Sequence, residues 1–186
     1  PNLHNIPVRT EKGKVFREVF VAQKNHRLLV ADYNQIELRC IAHLSSDQGL
    51  INAFNEGRDI HTATAAQVFG VNDADVTKAQ REKAKMVSYG LAYGMEAYGL
   101  AQRLGIENKE AAKILNDYFS AFPSVKEYMD KAVNQAKEKG FTETLFGRKR
   151  KIPELKSSNS RVRSAAERQA MNAGIQGLAA DIFKVA

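Results

Sequence analysis

Leu28-Leu29-Val30-Ala31-Asp32-Tyr33-Asn34-Gln35-Ile36-Glu37-Leu38-Arg39 is the stretch on which the reading of this chain turns. Its first four residues are small or branched and apolar, which predicts a short buried strand over 28–32 delivering Asp32 at its end. From Gln35 onward, Ile36, Leu38, Ile41, Ala42 and Leu44 fall at helical spacing and predict an amphipathic helix over 35–45. A carboxylate at a strand-to-helix turn stands where a Mg²⁺ ion and a phosphate can meet without disturbing a packed core. An aspartate that merely caps the next helix fits the same turn. This segment alone leaves both readings open.

The surrounding chain narrows the class. Its 186 residues suffice for one domain, or for two subdomains sharing a core, and 44% hydrophobic with 26% charged residues is a soluble globular balance. No apolar run approaches the ~20 residues of a membrane span, and no signal-peptide pattern opens the sequence. The single cysteine, Cys40, excludes a disulfide framework, predicts an intracellular setting and falls on the apolar side of its helix. A net charge of +7 suits a polyanionic partner, although a basic protein without one has the same balance. Both ends look cut. The chain opens without Met at Pro1-Asn2-Leu3 and stops inside an Ala-rich helical pattern, so the expectation is a segment of a longer protein.

Along the chain the patterns predict a strand near Val15–Ala22, the strand 28–32 and helices over 35–45, 47–56 and 60–69. Thr77 is placed to N-cap a long helix that Gly94 ends. Helices follow over 96–104 and from Asn108 to Gly140, the latter interrupted at Pro123. Phe141–Leu145 and Lys149–Ile152 read as a β-hairpin. Its basic cluster Arg148-Lys149-Arg150-Lys151 is bracketed by Leu145, Phe146 and Ile152, which are residues of buried type and exclude a free basic tail. A final helix begins near Arg161.

Within the long helix, Arg81, Lys85, Tyr89 and Tyr93 recur every four residues and present one continuous stripe. Two cations followed by an aromatic ring can hold a triphosphate and then a sugar or base. A solvated basic face ending in core aromatics has the same pattern.

At this point the residues resemble a known family. Asp32-Tyr33-Asn34-Gln35-Ile36-Glu37-Leu38-Arg39 is similar to motif A of the family A DNA polymerases, and Arg81…Lys85…Tyr89-Gly90…Tyr93-Gly94 to motif B. Pro1-Asn2-Leu3-His4-Asn5-Ile6-Pro7, Asp59-Ile60-His61, Phe146-Gly147-Arg148 and Glu167-Arg168…Asn172…Ile175-Gln176-Gly177…Ala180-Asp181 also resemble family segments, in the family's order. The resemblance implies an α+β, mostly helical fold of right-hand architecture. Residues 1–50 would be the first part of the palm, 51–152 the fingers, and 153–186 a helix returning to the palm.

The same resemblance implies the chemistry. It is template-directed addition of dNTPs to a primer 3′-hydroxyl with release of pyrophosphate, using two Mg²⁺ ions, for which Mn²⁺ can substitute. Asp32 and the backbone carbonyl of Tyr33 are implied as metal ligands. Arg81, Lys85 and His61 are implied to hold the triphosphate, with Lys85 also the proton donor to pyrophosphate. Gln35 and Glu37 complete the nucleotide site, Glu37 blocking a ribose 2′-hydroxyl, and Tyr89 stacks on the nucleotide. Tyr89 stands where many members have Phe, which implies weak discrimination against dideoxynucleotides. Tyr93, Arg168, Asn172, Gln176 and Asn2 are implied to meet primer–template DNA, the polar trio sharing one helix face suited to minor-groove acceptors. His4, Asn34 and Leu178 depart from the usual family residues without removing a catalytic group.

The implied enzyme is a bacterial, cytoplasmic, nucleoid-associated monomer without membrane contact, acting in DNA replication and repair. One motif is missing. The family's motif C, His-Asp-Glu, supplies the second metal-bridging aspartate, and no such tripeptide occurs here. The expectation is that this chain by itself does not polymerise. The alternatives are a single-subunit RNA polymerase, opposed by Glu37, and a non-catalytic nucleic-acid-binding remnant, opposed by intact Asp32, Arg81 and Lys85.

Overall fold

A computed structural model describes residues 10–186 (for Arg17, the backbone alone). The chain divides into two units, residues 1–34 and 35–186. Asn2, His4 and the rest of the Pro1–Pro7 segment lie outside the described residues.

In the first unit the structure departs from the sequence reading. The strand expected near Val15–Ala22 is instead helix α1, Glu11–Glu18, followed by irregular chain. Local bonds favour the helix: Thr10 Oγ1 accepts from the Gly13 amide at 3.1 Å, and Lys14 donates to Glu11 at 2.6 Å. Residues 28–32 form neither helix nor strand, and Leu29 and Val30 are 92% and 90% exposed. A strand exists only through ladder bonds to a neighbour, and the one sheet among the described residues is elsewhere in the chain. The capping reading of Asp32 is not met either. The N-cap of the following helix is Gln35, at a left-handed φ of 58° and with no side-chain cap bond.

The second unit holds the core. Its helices are α2 (Ile36–Ser45), α3 (Gln48–Asn55), α4 (Ile60–Phe69), α5 (Lys78–Ala92), α6 (Ala97–Leu104), α7 (Asn108–Ala121), α8 (Pro123–Lys139) and α9 (Ser160–Val185). Strands β1 (Phe141–Glu143) and β2 (Lys149–Lys151) pair antiparallel between α8 and α9, with Thr142 opposite Arg150. Boundaries follow local chemistry. Thr77 and Gln80 form the reciprocal capping box that opens α5. Pro123 occupies the first turn of α8, where a missing amide costs nothing.

Leu38 and Ile41 of α2, Val87 and Leu91 of α5, Leu100 of α6, Ile114 and Tyr118 of α7, Val125 and Met129 of α8 and Ile175 of α9 form one buried cluster. Tyr118 is wholly enclosed, and burial pushes its phenol up despite a bond to Ser88 of α5. Cys40 is buried on the inner face of α2, as its position implied, and desolvation raises its thiol to about 11. Among Ala166, Ala170, Ala173 and Ala179 of α9, small side chains let this 26-residue helix run close against its neighbours.

The hairpin is held differently from expectation. Ile152 is buried, but Leu145 and Phe146 are 65% and 60% exposed at the turn. The anchor is polar: Thr144 Oγ1 donates to buried Asp181 Oδ2 at 2.6 Å, and Arg148 pairs with the other carboxylate oxygen. A charge-assisted bond to a buried carboxylate stabilises more than an apolar contact at an open turn.

Candidate nucleotide and primer-template site

The buried residues Ala84, Val87, Ser88 and Leu91 fix the rotation of α5 and thereby turn Arg81, Lys85 and Tyr89 onto its half-buried face. Arg81 reaches the first turn of α4, where Nε and Nη2 donate to the two oxygens of Asp59 at 3.0 and 2.9 Å. One turn on, Lys85 makes no hydrogen bond or ion pair with another described residue, and its charge is felt at His61. His61 is buried with its ring centroid 5.5 Å from that of Tyr89 at 50°. Desolvation is the main effect on His61 and lowers its pKa, so the imidazole is neutral at pH 7; Arg81 and Lys85 push the same way, against Asp59. Its Nδ1 is buried without a partner among the described residues. Among the described residues the face therefore presents one paired cation and one without a partner, then an aromatic ring braced by a neutral imidazole.

Past the end of α5 the helix turns at Gly94, whose φ is 70°. Tyr93, 61% exposed, donates from its hydroxyl to Glu37 Oε1 of α2 at 3.3 Å. Burial and the nearby carboxylate both raise the Tyr93 phenol, so it stays protonated and able to donate. On α9, Arg168 pairs with Glu96 at 2.8 Å, and Gln176 donates to the carbonyl of Ala92 at 3.1 Å. Asn172 is buried with Oδ1 unpartnered among the described residues. Tyr93, Arg168, Asn172 and Gln176 line one cleft of about 310 Å³, joined by Arg150 and Gln169.

The sequence reading named four of these six and missed Arg150 and Gln169, which meet where the Arg150 guanidinium donates to the Gln169 side chain at 3.3 Å. The signal for Arg150 was the basic run on β2, read there as a cluster rather than residue by residue. Asp59 and Glu96, the partners of Arg81 and Arg168, were also missed as individual residues. Gln35 is half-buried at the start of α2. Asp32 and Tyr33 belong to the first unit and are exposed.

Gly94 is required twice over. An added Cβ would come within 2.5 Å of Asn172 Nδ2, and a left-handed φ penalises any side chain. Gly94→Ala is therefore expected to cost roughly 1–3 kcal/mol of stability, read as a shifted denaturant midpoint.

The sequence profile of DNA polymerase family A matches residues 1–186. The chain belongs to DNA polymerase family A. Among its relatives, DNA polymerase I of Caldicellulosiruptor bescii is 54% identical over 186 residues, covering 100% of this chain and 22% of that protein. DNA polymerase I of Pseudomonas aeruginosa is 53% identical over 184 residues, 99% of this chain and 20% of that protein. The POL domain of Pol1 from M. smegmatis, solved in complex with DNA primer-template and dNTP, superposes with a TM-score of 0.86 at 50% identity. That match covers all of this chain and 33% of the solved one. The chain thus spans about a fifth of the length of these relatives, as one part of the family A polymerase fold. Among its described residues this part is mostly helical with one small sheet, in keeping with the mostly helical α+β fold that the sequence implied. Among the described residues no helix is long and apolar enough to cross a membrane.

Proposed function

We propose that these residues form part of the catalytic domain of a template-directed DNA polymerase, binding the incoming dNTP on α5 and the primer–template at the α5–α9 cleft. The single observation that carries the proposal is the face on which Arg81, Lys85 and Tyr89 stand in line, with His61 set against Tyr89. That order matches triphosphate, then sugar and base, on a neutral imidazole that can donate to a phosphate oxygen without adding charge. Residues 1–50, 51–152 and 153–186 then act as palm, fingers and palm return helix, in a bacterial, cytoplasmic and monomeric enzyme associated with the nucleoid.

The metal requirement is compatible with the donors. Asp32 offers an exposed carboxylate and Tyr33 a backbone carbonyl, both hard oxygen ligands of the kind Mg²⁺ selects. Among the described residues no cluster of three His, Cys, Asp or Glu side chains converges, so these two supply one side of a site. When bound, two Mg²⁺ ions acidify the primer 3′-hydroxyl and stabilise charge on the leaving pyrophosphate. Arg81 and Lys85 bind the β- and γ-phosphates, and Lys85 Nζ delivers a proton to pyrophosphate. Gln35 and Glu37 border the sugar, and Tyr89 stacks on it. Tyr93, Arg168, Asn172 and Gln176 orient the primer–template, with Asn2 a further contact.

The test is a graft of residues 1–186 into a homologous family A polymerase that supplies the rest of the domain, including His-Asp-Glu. Mg²⁺-dependent primer extension is the expected result. A folded graft that binds primer–template and never extends it would establish the non-catalytic alternative. In the same graft, Tyr89→Phe removes a hydroxyl beside the nucleotide 3′ position. Selectivity for deoxy- over dideoxynucleotides is expected to rise by about tenfold or more, measured as a ratio of kcat/KM values.

A further inference from the structure

Asp59 carries more hydrogen bonds than a helix cap needs. Its Oδ1 accepts from the Thr62 amide and the Thr62 hydroxyl, each at 2.8 Å, which completes the N-cap of α4. The same oxygen accepts from Arg81 Nε, and Oδ2 from Arg81 Nη2, as a parallel two-bond pair between residues 22 apart in sequence. The Arg81 guanidinium, with Thr62 assisting, holds the Asp59 carboxyl well below the usual carboxylate range. A guanidinium has five N–H donors in a planar fork. Asp59 occupies the Nε side of that fork. Among the described residues Nη1 makes no hydrogen bond; it stands 3.7 Å from Glu82 Oε1, within ion-pair range but beyond hydrogen-bond length.

We infer that Asp59 is a positioning residue for nucleotide binding: it locks the Arg81 guanidinium plane against the cap of α4 and leaves the Nη1 end presented to a phosphate. This inference rests on the polymerase reading above. His61, two residues beyond Asp59, braces Tyr89 in turn, so the first turn of α4 supports both the phosphate and the sugar ends of the α5 face. A free arginine must surrender side-chain freedom when it binds a phosphate. Here that ordering is complete before the nucleotide arrives. The competing possibility is that Asp59 withholds Arg81, so that a triphosphate must displace the carboxylate.

Steady-state incorporation kinetics separate the two in a complete family A polymerase carrying residues 1–186. The variants are Asp59→Asn, Arg81→Ala and the double substitution. Asn caps a helix as well as Asp, so Asp59→Asn preserves α4 while removing the ionic pair. Asp59→Ser, also a good cap but too short to reach Arg81, is the second variant. In both, KM for the dNTP is expected to rise roughly three- to tenfold, with the larger effect in KM than in kcat. In the Arg81→Ala background, Asp59→Asn should add no further rise.

An unchanged or lowered KM overturns the inference, a fall showing that Asp59 competes with phosphate for Arg81. An equal penalty with and without Arg81 overturns it as well, because Asp59 then acts through the fold. A parent enzyme lacking template-directed incorporation would sink the polymerase reading itself, a failure visible before any variant is compared.

Discussion

Asp32→Ala in the grafted polymerase is expected to abolish primer extension, with kcat falling by about a thousandfold or more, while dNTP and primer–template binding persist. A carboxylate that holds a catalytic cation contributes several kcal/mol of charge stabilisation in the transition state, and each 1.4 kcal/mol is about tenfold in rate. Asp32 is exposed and lies outside the buried cluster, so its removal leaves the core of the second unit intact. The triphosphate contacts proposed for Arg81, Lys85 and His61 do not pass through it. Loss of rate without loss of binding is therefore the signature of a ligand to the catalytic cation. Extension within about tenfold of the parent would exclude Asp32 from that role.

The contrast between Asp32 and the α5 face shows what was legible in the sequence. Helix α5 could be read from local chemistry alone: Thr77 and Gln80 close its start, Gly94 permits the positive φ that ends it, and a four-residue spacing puts Arg81, Lys85 and Tyr89 in one stripe. Helix α4 and its terminal Gly70 were legible for the same reason. Residues 28–32 carry the composition of a strand, but composition names only a preference, and pairing needs a neighbour that the described residues do not provide. Near Val15 the apolar residues suggested a strand, and the Thr10 and Glu11–Lys14 bonds make the segment a helix instead.

The partners within the site were illegible for another reason. Arg81 meets Asp59 across 22 residues, Tyr93 meets Glu37 across 56, and Arg168 meets Glu96 across 72. No local pattern records such pairings. They follow from how α4, α2 and α6 pack beside α5 and α9, and packing is set by the buried faces rather than by the charged ones. The sequence therefore marked which side chains could act on a phosphate or a base, and left open which carboxylates hold them in place. The same limit applies to Leu145 and Phe146, whose apolar character suggested burial until Asp181 proved to be the anchor of the hairpin.

The tie between Tyr93 and Glu37 leads to the second large effect. Glu37→Ala is expected to reduce the preference for deoxy- over ribonucleotides by about a hundredfold, measured as the ratio of kcat/KM values for matched dNTP and rNTP. An apolar wall rejects an added hydroxyl only weakly, because a small hydroxyl can still be accommodated. A carboxylate fixed in place excludes it better, since a ribose 2′-hydroxyl would have to displace a side chain that is already bonded. Glu37 is suited to that role: it is half-buried in the first turn of α2, where the helix dipole favours an anion, and the Tyr93 hydroxyl donates to it at 3.3 Å. Tyr93→Phe removes the donor and leaves the carboxylate free to swing aside, so the preference should fall less, by a few-fold. The order of the two effects is the decisive part. A Glu37→Ala enzyme that still excludes ribonucleotides as the parent does would place the barrier elsewhere. A larger loss from Tyr93→Phe than from Glu37→Ala would show that the ring, and not the carboxylate it holds, fills the space a 2′-hydroxyl needs.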